Sequence, residues 1–441
     1  MVHGREHKVP YLLYLDDCLC STLGKALEHI VRDQLLVTIQ AKGGLSKVQH
    51  GFTAKRSTMT NLLVTENIIA DALNDHQPLD IVSVDFSRAF DKVPHDKLLQ
   101  ELAARGVTGN ALQWVNSFLH HRMQAVRTTT LSSPAPVTSG VIQGSVLGPL
   151  LFVIYMDTLL RKLDIPAVAY ADDLKLMGNL AHVTVQDVQR NIYSIAQWSE
   201  VKGMPLSVAK CAVMHYGPNN PRHQYVVYGA ETLPAADHFK DLGVVRAADG
   251  TFNDHVATVA AKGRRLAGLC MRKMVTRKPD FMMRVFNTYV LPSMLYASSI
   301  WSPRLRYEID AFEAVQRRYT RRITGLRHMS YGQRLHTLQQ LSVESACMAA
   351  DLVLTYKLVH GMLGITAAEA GLHLCAGTTR ASGILLQQQH VAQTSLSQTF
   401  KFRIPVQWKT VPNNILQCAS LSLFKKNLRH WLMIADLEHF G

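Results

Sequence analysis

Two adjacent carboxylates, Asp172 and Asp173, stand between the short apolar stretches Ala167-Val168-Ala169 and Leu174-Lys175-Leu176-Met177. That pattern predicts a tight β-hairpin with acids at its tip. A stiff scaffold presenting two carboxylates suits a hard divalent cation, which prefers oxygen donors already in position. An acidic turn can equally be a solvated loop, so a second source of carboxylates matters. Asp85 supplies one. Ile81-Val82-Ser83-Val84-Asp85 reads as a buried, β-branched strand ending on an acid, a place where acids are disfavoured unless they hold something. Carboxylates from two strands could share two metal ions roughly 3.5–4 Å apart. Such a pair activates an attacking 3′-hydroxyl and stabilises the phosphoryl transition state and a pyrophosphate leaving group.

The elements that must position these acids follow from periodicity. Helical spacing covers Leu23 to Ile39 and stops at Gly43-Gly44, and a basic loop, Gly51 to Ser57, leads into a second helix over Thr58 to Asn74. Further helices are expected over 96–104, 110–121, 144–161 and 185–200. A hairpin is expected from Val126–Leu131 and Val137–Ile142 around Pro134 and Pro136, and strands over 210–216, 224–229 and 239–245. From about 250 onward the pattern is helical. Gly140 to Pro149 reads as strand, turn and helix, with glycines where backbone must approach a ligand closely. Taken alone it resembles any glycine-rich loop.

The chain has 441 residues, 47% of them hydrophobic, and a formal charge of +14. It is long enough for two to four structural units and too apolar to be disordered. Residues 261 to 340 hold 16 Lys/Arg against four Asp/Glu, so most of the positive excess sits in one segment. Such a block attracts a polyanion, nucleic acid before membrane surface, or is simply a solvated face. Seven cysteines lack CxxC or Cys/His spacing, which argues against structural zinc and a disulfide framework and for a reducing, intracellular compartment. The longest apolar run, Val146 to Met156, contains Gly148 and Pro149 and is too short to span a membrane.

In their order along the chain these elements resemble a reverse transcriptase. DFSRAFDKVPHDKL is similar to the first catalytic motif, GVIQGSVLGPLLFVIYMDTL to the nucleotide-pocket motif, and AYADDL to the metal-binding hairpin. QHGFTAKRSTMTNLL, WVNSFLHHRMQAVR, KGMPLSVAKCAVMHYG, FKDLGVV and LYASSIWSPRLRYEIDAFEAVQRRYTRRITGL extend the resemblance over roughly residues 23 to 360 and narrow it to non-LTR (LINE-type, jockey-like) retrotransposon polymerases. A group II intron maturase or telomerase fits less well, because neither accounts for the WSP and QRRYTRRITGL segments. The resemblance implies an α+β right-hand polymerase with a ferredoxin-like antiparallel-sheet palm. Its parts would be partial fingers over 1–80, palm over 81–245, a basic helical thumb over 246–345 and a C-terminal helical region over 346–441.

Roles carry over position by position as implications of the resemblance. Asp85 and Asp172 would ligate two Mg²⁺ ions (Mn²⁺ is possible), with the Phe86 carbonyl assisting and Asp173 as the neighbouring acid. Phe90 would be the aromatic gate under the deoxyribose, or else a core phenylalanine. Gln143 and Gly144 would line the nucleotide pocket, and Lys55 and Arg56 would be its basic residues. Lys210 would protonate pyrophosphate, although a surface lysine would look the same. Phe239, Leu242 and Gly243 would form the primer grip. Arg317, Arg318, Arg321 and Arg322 recur on one face of a helix expected over Ala311 to Gly325, opposite Phe312, Val315, Tyr319 and Ile323. They would track template–primer phosphates.

Departures from the family pattern are also expected to matter. No arginine stands in the region Leu13 to Asp17 where these polymerases grip the triphosphate, and Thr53 replaces a frequent arginine. Losing one charge-assisted phosphate contact could cost ~1.5–3 kcal/mol. The chain therefore reads as an amino-terminally truncated RNA-directed DNA polymerase acting on an RNA template, a DNA primer and deoxynucleoside triphosphates. The alternative is a catalytically impaired nucleic-acid-binding remnant. Endonuclease activity would have to come from a missing domain or another protein. Residues 361–441 show no RNase H acid pattern or zinc knuckle. Work in the nucleus is implied only by the family's life cycle.

Overall fold

The computed structural model describes residues 21–126, 129–229, 231–303, 305–375 and 384–440. Its centre is the strand Leu79–Val84, whose apolar residues are buried because both of its faces and both of its edges are covered. The strand lies inside a four-stranded antiparallel sheet ordered Ala167–Tyr170, Asp173–Asn179, Leu79–Val84, Ala212–Tyr216. It begins two residues earlier than the sequence implies and ends one earlier, so Asp85 sits just past it.

Alternation along the strands divides the core in two. Val82, Val84, Leu174, Leu176 and Val213 pack on one face with the helices Gly148–Leu160 and Val185–Lys202. Residues Leu150 to Asp157 of the first of these helices are all buried, as suits a helix that is apolar all round. On the other face Leu79, Ile81, Met177, Met214 and Tyr216 meet Ile69, Ala70 and Leu73 of the helix Thr58–Asn74. That helix has the expected bounds. Ser57 and Thr60 form a reciprocal capping box at its start, where each side chain takes up the other's otherwise unsatisfied amide.

The mixed helix and antiparallel-sheet class is as expected, and several boundaries are corrected. The hairpin expected from 126–131 and 137–142 is reduced to two-residue strands, Met123–Gln124 paired with Ala135–Pro136. Pro134 and Pro136 lack the amides a longer ladder needs. The backbone beyond them pairs elsewhere: Gly140 N–H donates to Val93 C=O and Val141 N–H to Phe90 C=O. The strand expected over 239–245 is instead a hairpin, His238–Asp241 with Val244–Ala247, turning through Leu242 and Gly243, both with positive φ (44° and 90°). Two left-handed residues in a two-residue loop match the right-handed strand twist. The strand expected from 210 starts at Ala212, behind a 3₁₀ turn over Val208–Lys210. The strand expected over 224–229 is only Val226–Val227.

From Asn253 onward the chain is mainly helical, and one hydrophobic core runs from Val256 to Leu432 while taking in Leu62 and Leu63. Among the described residues no helix is long and apolar enough to cross a membrane.

A buried ion pair ties the sheet to the 238–247 hairpin, and its hydrogen bonds tie both to the helix Thr58–Asn74. Lys175 Nζ, in the strand Asp173–Asn179, lies 2.5 Å from Asp241 Oδ2 in the 238–247 hairpin. It also donates to Asn61 Oδ1 (2.7 Å) and Thr65 Oγ1 (2.9 Å) of the helix Thr58–Asn74. Removing one partner of a buried pair leaves the other charge desolvated and uncompensated, so Asp241→Ala is expected to cost about 3–5 kcal/mol in urea denaturation. The double substitution Lys175→Met, Asp241→Leu should lose far less than the sum of the single ones. Equal stability of Asp241→Ala and the parent would refute this account of the pair.

Candidate active site

The register that pairs Val84 with Leu174 and Tyr170 with Asp173 brings Asp85 to the edge of the sheet where the acidic turn stands. The turn has two residues, Ala171 and Asp172, and Ala171 has φ 56°. A positive φ in the first turn position usually calls for glycine, so this alanine is held under backbone strain. Lys210, at the end of its 3₁₀ turn, places Nζ 3.6 Å from Asp85 Oδ1. Cys211 flanks the same aspartate, accepting from its amide at 3.4 Å, and Ser207 N–H donates to the Asp85 carbonyl at 2.8 Å. The structure thus brings Asp85, Asp172, Asp173 and Lys210 together.

Charge accumulates at this edge. Burial raises the Asp172 carboxyl above its ordinary value, and Asp85 adds to the rise while its own amide and Lys210 oppose it. Asp173 reaches solvent, yet its carboxyl is pushed up to about 6 by partial burial, then by Asp172, Asp85 and Asp241, against Lys175. Asp85 Oδ1 is buried with no hydrogen-bond partner. A buried carboxylate oxygen without a hydrogen bond, among mutually repelling acids and with only the Lys210 ammonium near it, fits an oxygen-liganded divalent cation. Among the described residues no three His, Cys, Asp or Glu side chains close into a metal cage.

A second group forms beside it. Phe90 is half-buried, stacks on the buried Phe152 at 4.1 Å and 12°, and meets the ring of Phe52 edge-on at 6.0 Å. Gln143 Nε2 lies 3.3 Å from Asp91 Oδ1, and Val141 N–H holds the Phe90 carbonyl, so the expected gate and pocket residues share one wall. Gly144 is exposed at φ 81°. Gly140, at φ 90°, must be glycine, because a Cβ there would lie 2.8 Å from Asp91 Cα. The Phe86 side chain is core, edge-on to Trp198.

The remaining expected residues lie apart. Leu242 and Gly243 form the turn of the 238–247 hairpin, and Tyr296 OH donates to the Leu242 carbonyl at 2.8 Å. Phe239 is half-buried on the adjoining strand. Lys55 is exposed with φ 61°. Arg56 turns inward: its Nη1 donates to the Lys47 carbonyl and, at 3.0 Å, to His50 Nε2. Burial, with help from Arg56 and Lys175, pushes His50 down to about 3 and keeps it neutral to accept that bond. Arg317, Arg318, Arg321 and Arg322 are all exposed, while Phe312, Val315, Tyr319 and Ile323 are buried, as the spacing implied. The helix spans Arg306–Thr320 rather than 311–325, so Arg321 and Arg322 lie in the turn after it.

Sequence reasoning gave no role to Phe52, Gln49 or Lys175. Phe52 is a large aromatic left 52% exposed beside the Phe90 wall. Lys175 stands within an apolar flank, and its place on the same strand face as Asp173 is the one sequence signal of its role. The expected loss of a triphosphate arginine in Leu13 to Asp17 lies outside the described residues.

Comparison with known proteins gives the class of chain that carries this arrangement. The family profile "Reverse transcriptase (RNA-dependent DNA polymerase)" matches residues 15–245, and the chain belongs to that family. Its relatives are the polymerases of non-LTR retrotransposons. It is 23% identical over 326 residues to the "RNA-directed DNA polymerase from mobile element jockey" of Drosophila funebris, covering 71% of this chain and 36% of that protein. It is 26% identical over 364 residues to the "Probable RNA-directed DNA polymerase from transposon BS" of Drosophila melanogaster, covering 76% and 39%. The chain thus spans little more than a third of those relatives. Among solved structures it is similar to apo telomerase from Candida tropicalis, with TM-score 0.42 and 11% identity over 76% of this chain and 59% of that one.

The raised Asp173 carboxyl has a signed consequence. Between its unfolded value of 3.8 and about 6 the native state binds more protons, so stability falls as pH rises through that window. In metal-free buffer at alkaline pH, Asp173→Asn should melt above the parent. The difference should shrink as pH falls through about 6, because the parent carboxyl is then protonated. A difference that widened toward acid pH, followed by thermal melts, would contradict this.

Proposed function

We propose that this chain is the RNA-directed DNA polymerase of a non-LTR retrotransposon, extending a DNA primer on an RNA template by two-metal-ion nucleotidyl transfer. The observation that carries the reading is the convergence of Asp85, Asp172 and Lys210, with Asp85 Oδ1 buried, without a hydrogen bond and within 3.6 Å of the Lys210 ammonium. Two Mg²⁺ ions (or Mn²⁺) held by Asp85, Asp172 and the Phe86 carbonyl, with Asp173 adjacent, would activate the primer 3′-hydroxyl and neutralise the phosphates.

Around that chemistry the chain's own groups bind, orient and move a proton. The 3′-hydroxyl gives its proton to solvent water, its oxygen attacks the α-phosphorus, and the bond to the bridging oxygen of the leaving pyrophosphate breaks. Lys210 delivers a proton to that oxygen. Phe90, backed by Phe152, lies under the deoxyribose and excludes a 2′-hydroxyl. Gln143 and Gly144 line the pocket, and the exposed Lys55 faces the triphosphate; Arg56 would have to leave Lys47 and His50 to join it. Phe239, Leu242 and Gly243 hold the primer end. Residues 81–245 act as palm and 246–345 as thumb, 1–80 belong to the fingers and 346–441 form a C-terminal helical region. Arg317, Arg318, Arg321 and Arg322 track the phosphates of the duplex.

A catalytically impaired nucleic-acid-binding remnant is favoured by one observation, the engagement of Arg56 with Lys47 and His50. Incorporation of dTTP on poly(rA)/oligo(dT) with Mg²⁺ separates the readings. The parent should incorporate, and Asp172→Ala should lose at least about 10²-fold, the scale seen when one electrostatic stabiliser of a transition state is removed. Equal signal from both proteins, or none, would overturn the polymerase reading, and duplex binding without synthesis would support the remnant.

The arginine face has its own test. Replacing Arg318 and Arg322 together by Ala should weaken duplex binding irrespective of sequence and reduce the slope of log affinity against log salt by about one per lost phosphate contact. An unchanged slope in filter binding would remove this face from the interface.

A further inference from the structure

We propose that Gln49 is a positioning residue whose carboxamide holds the strained turn at Ala171 and so sets where Asp172 stands. The inference rests on the reading of Asp172 given above. Ala171 adopts φ 56° without being glycine, and its side chain is buried. A conformation of that kind persists only where its surroundings over-determine it. Here the surroundings are specific. Ala171 N–H donates to Gln49 Oε1 at 2.9 Å, and Ala171 C=O accepts from Gln49 Nε2 at 3.1 Å. One carboxamide therefore satisfies both backbone groups of the residue immediately before Asp172, as a neighbouring strand would.

The segment carrying Gln49 is fixed to the same strand. Ala169 N–H donates to Val48 C=O at 2.9 Å, and His50 N–H donates to Ala169 C=O at 2.8 Å, a parallel bridge on the outer edge of the sheet. Gln49 is fully buried, and its Oε1 also accepts from Gly51 N–H at 2.7 Å, which fixes the orientation of the amide. Gly51 permits the approach: a Cβ there would lie 2.4 Å from Ala171 N. A side chain that merely closed the sheet edge would need to satisfy the edge strand. This one reaches past it to the turn.

The test is a double-mutant cycle read in two ways. Gln49→Leu keeps the bulk and removes the three hydrogen bonds. It should lower the maximal rate of dTTP incorporation by about 10–100-fold, the range typical when a partner that orients a metal-ligating side chain is lost. The KM for dTTP and duplex affinity should change little. In the metal-free protein, amide exchange in the 167–176 hairpin should speed up. Adding Ala171→Gly, which takes a positive φ without steric cost, should recover much of the rate and slow the exchange again. A purely packing role for Gln49 would gain nothing from glycine at 171.

The proposal is overturned if Gln49→Leu leaves both rate and exchange unchanged, or if Ala171→Gly restores neither. Should parent and Asp172→Ala both prove silent, the polymerase reading fails. Exchange then still decides whether Gln49 holds the turn.

Discussion

The buried ammonium of Lys175 keeps three parts of this molecule in register. Burial lowers its proton affinity, and Asp241 and Asp173 pull the other way. Its hydrogen bonds reach the helix Thr58–Asn74, and its ion pair reaches the hairpin behind Leu242. Because Lys175 shares a strand face with Asp173, any shift of that helix or hairpin moves the edge of the sheet that carries the acids. The adjacent pair Glu66–Arg246 repeats the design, again joining the helix to the hairpin. Buried pairs of this kind add little net stability compared with apolar packing. They do exclude alternative registers, because a slipped hairpin would leave two desolvated charges unmatched.

The acids need that rigidity because they repel one another. Asp172 and Asp173 are both raised, and neither can relax away without leaving a hairpin buried on its strand residues. Strain at Ala171 and the mutual repulsion of the carboxylates are two costs stored at one edge of the sheet. The packing behind it, Val82, Val84, Leu174 and Leu176 against the Gly148–Leu160 helix, is the offsetting term. The sheet is thus a scaffold whose stability is spent on an unfavourable arrangement of charge.

How much of this could be read from sequence depends on what kind of signal each feature leaves. The helix Thr58–Asn74 was legible to the residue, since Ser57 and Thr60 mark its start chemically. The acid positions were legible because strand periodicity and acid placement are local. The hairpin near residues 126–142 was misread because alternation reports that a segment is extended, not what it pairs with. There the partners of Gly140 and Val141 are Val93 and Phe90, about fifty residues earlier. Arg56 shows the same limit. Its charge suggested a ligand, while its surroundings in the fold, Lys47 and His50, give it a neighbour within the chain. Gln49 could be found only once its segment and the acidic turn had been brought together.

The C-terminal region completes the argument that distant parts stabilise the site jointly. Gly364 N–H donates to the Lys55 carbonyl at 2.7 Å, and a Cβ on Gly364 would collide with the Arg56 side chain at 2.7 Å. Lys401 pairs with Asp71, and Gln393 Nε2 donates to the Leu73 carbonyl at 3.0 Å, so the far end of the helix Thr58–Asn74 is held as well. Phe402 and Leu396 join the core under the sheet. Residues beyond 360 are therefore built into the body that carries the acids. The loop bearing Lys55 and Arg56 depends for its shape on a segment more than three hundred residues away. Loss of that segment would be felt at the basic loop and the helix Thr58–Asn74 before it reached the acidic turn, which has its own supports in Gln49 and Lys175.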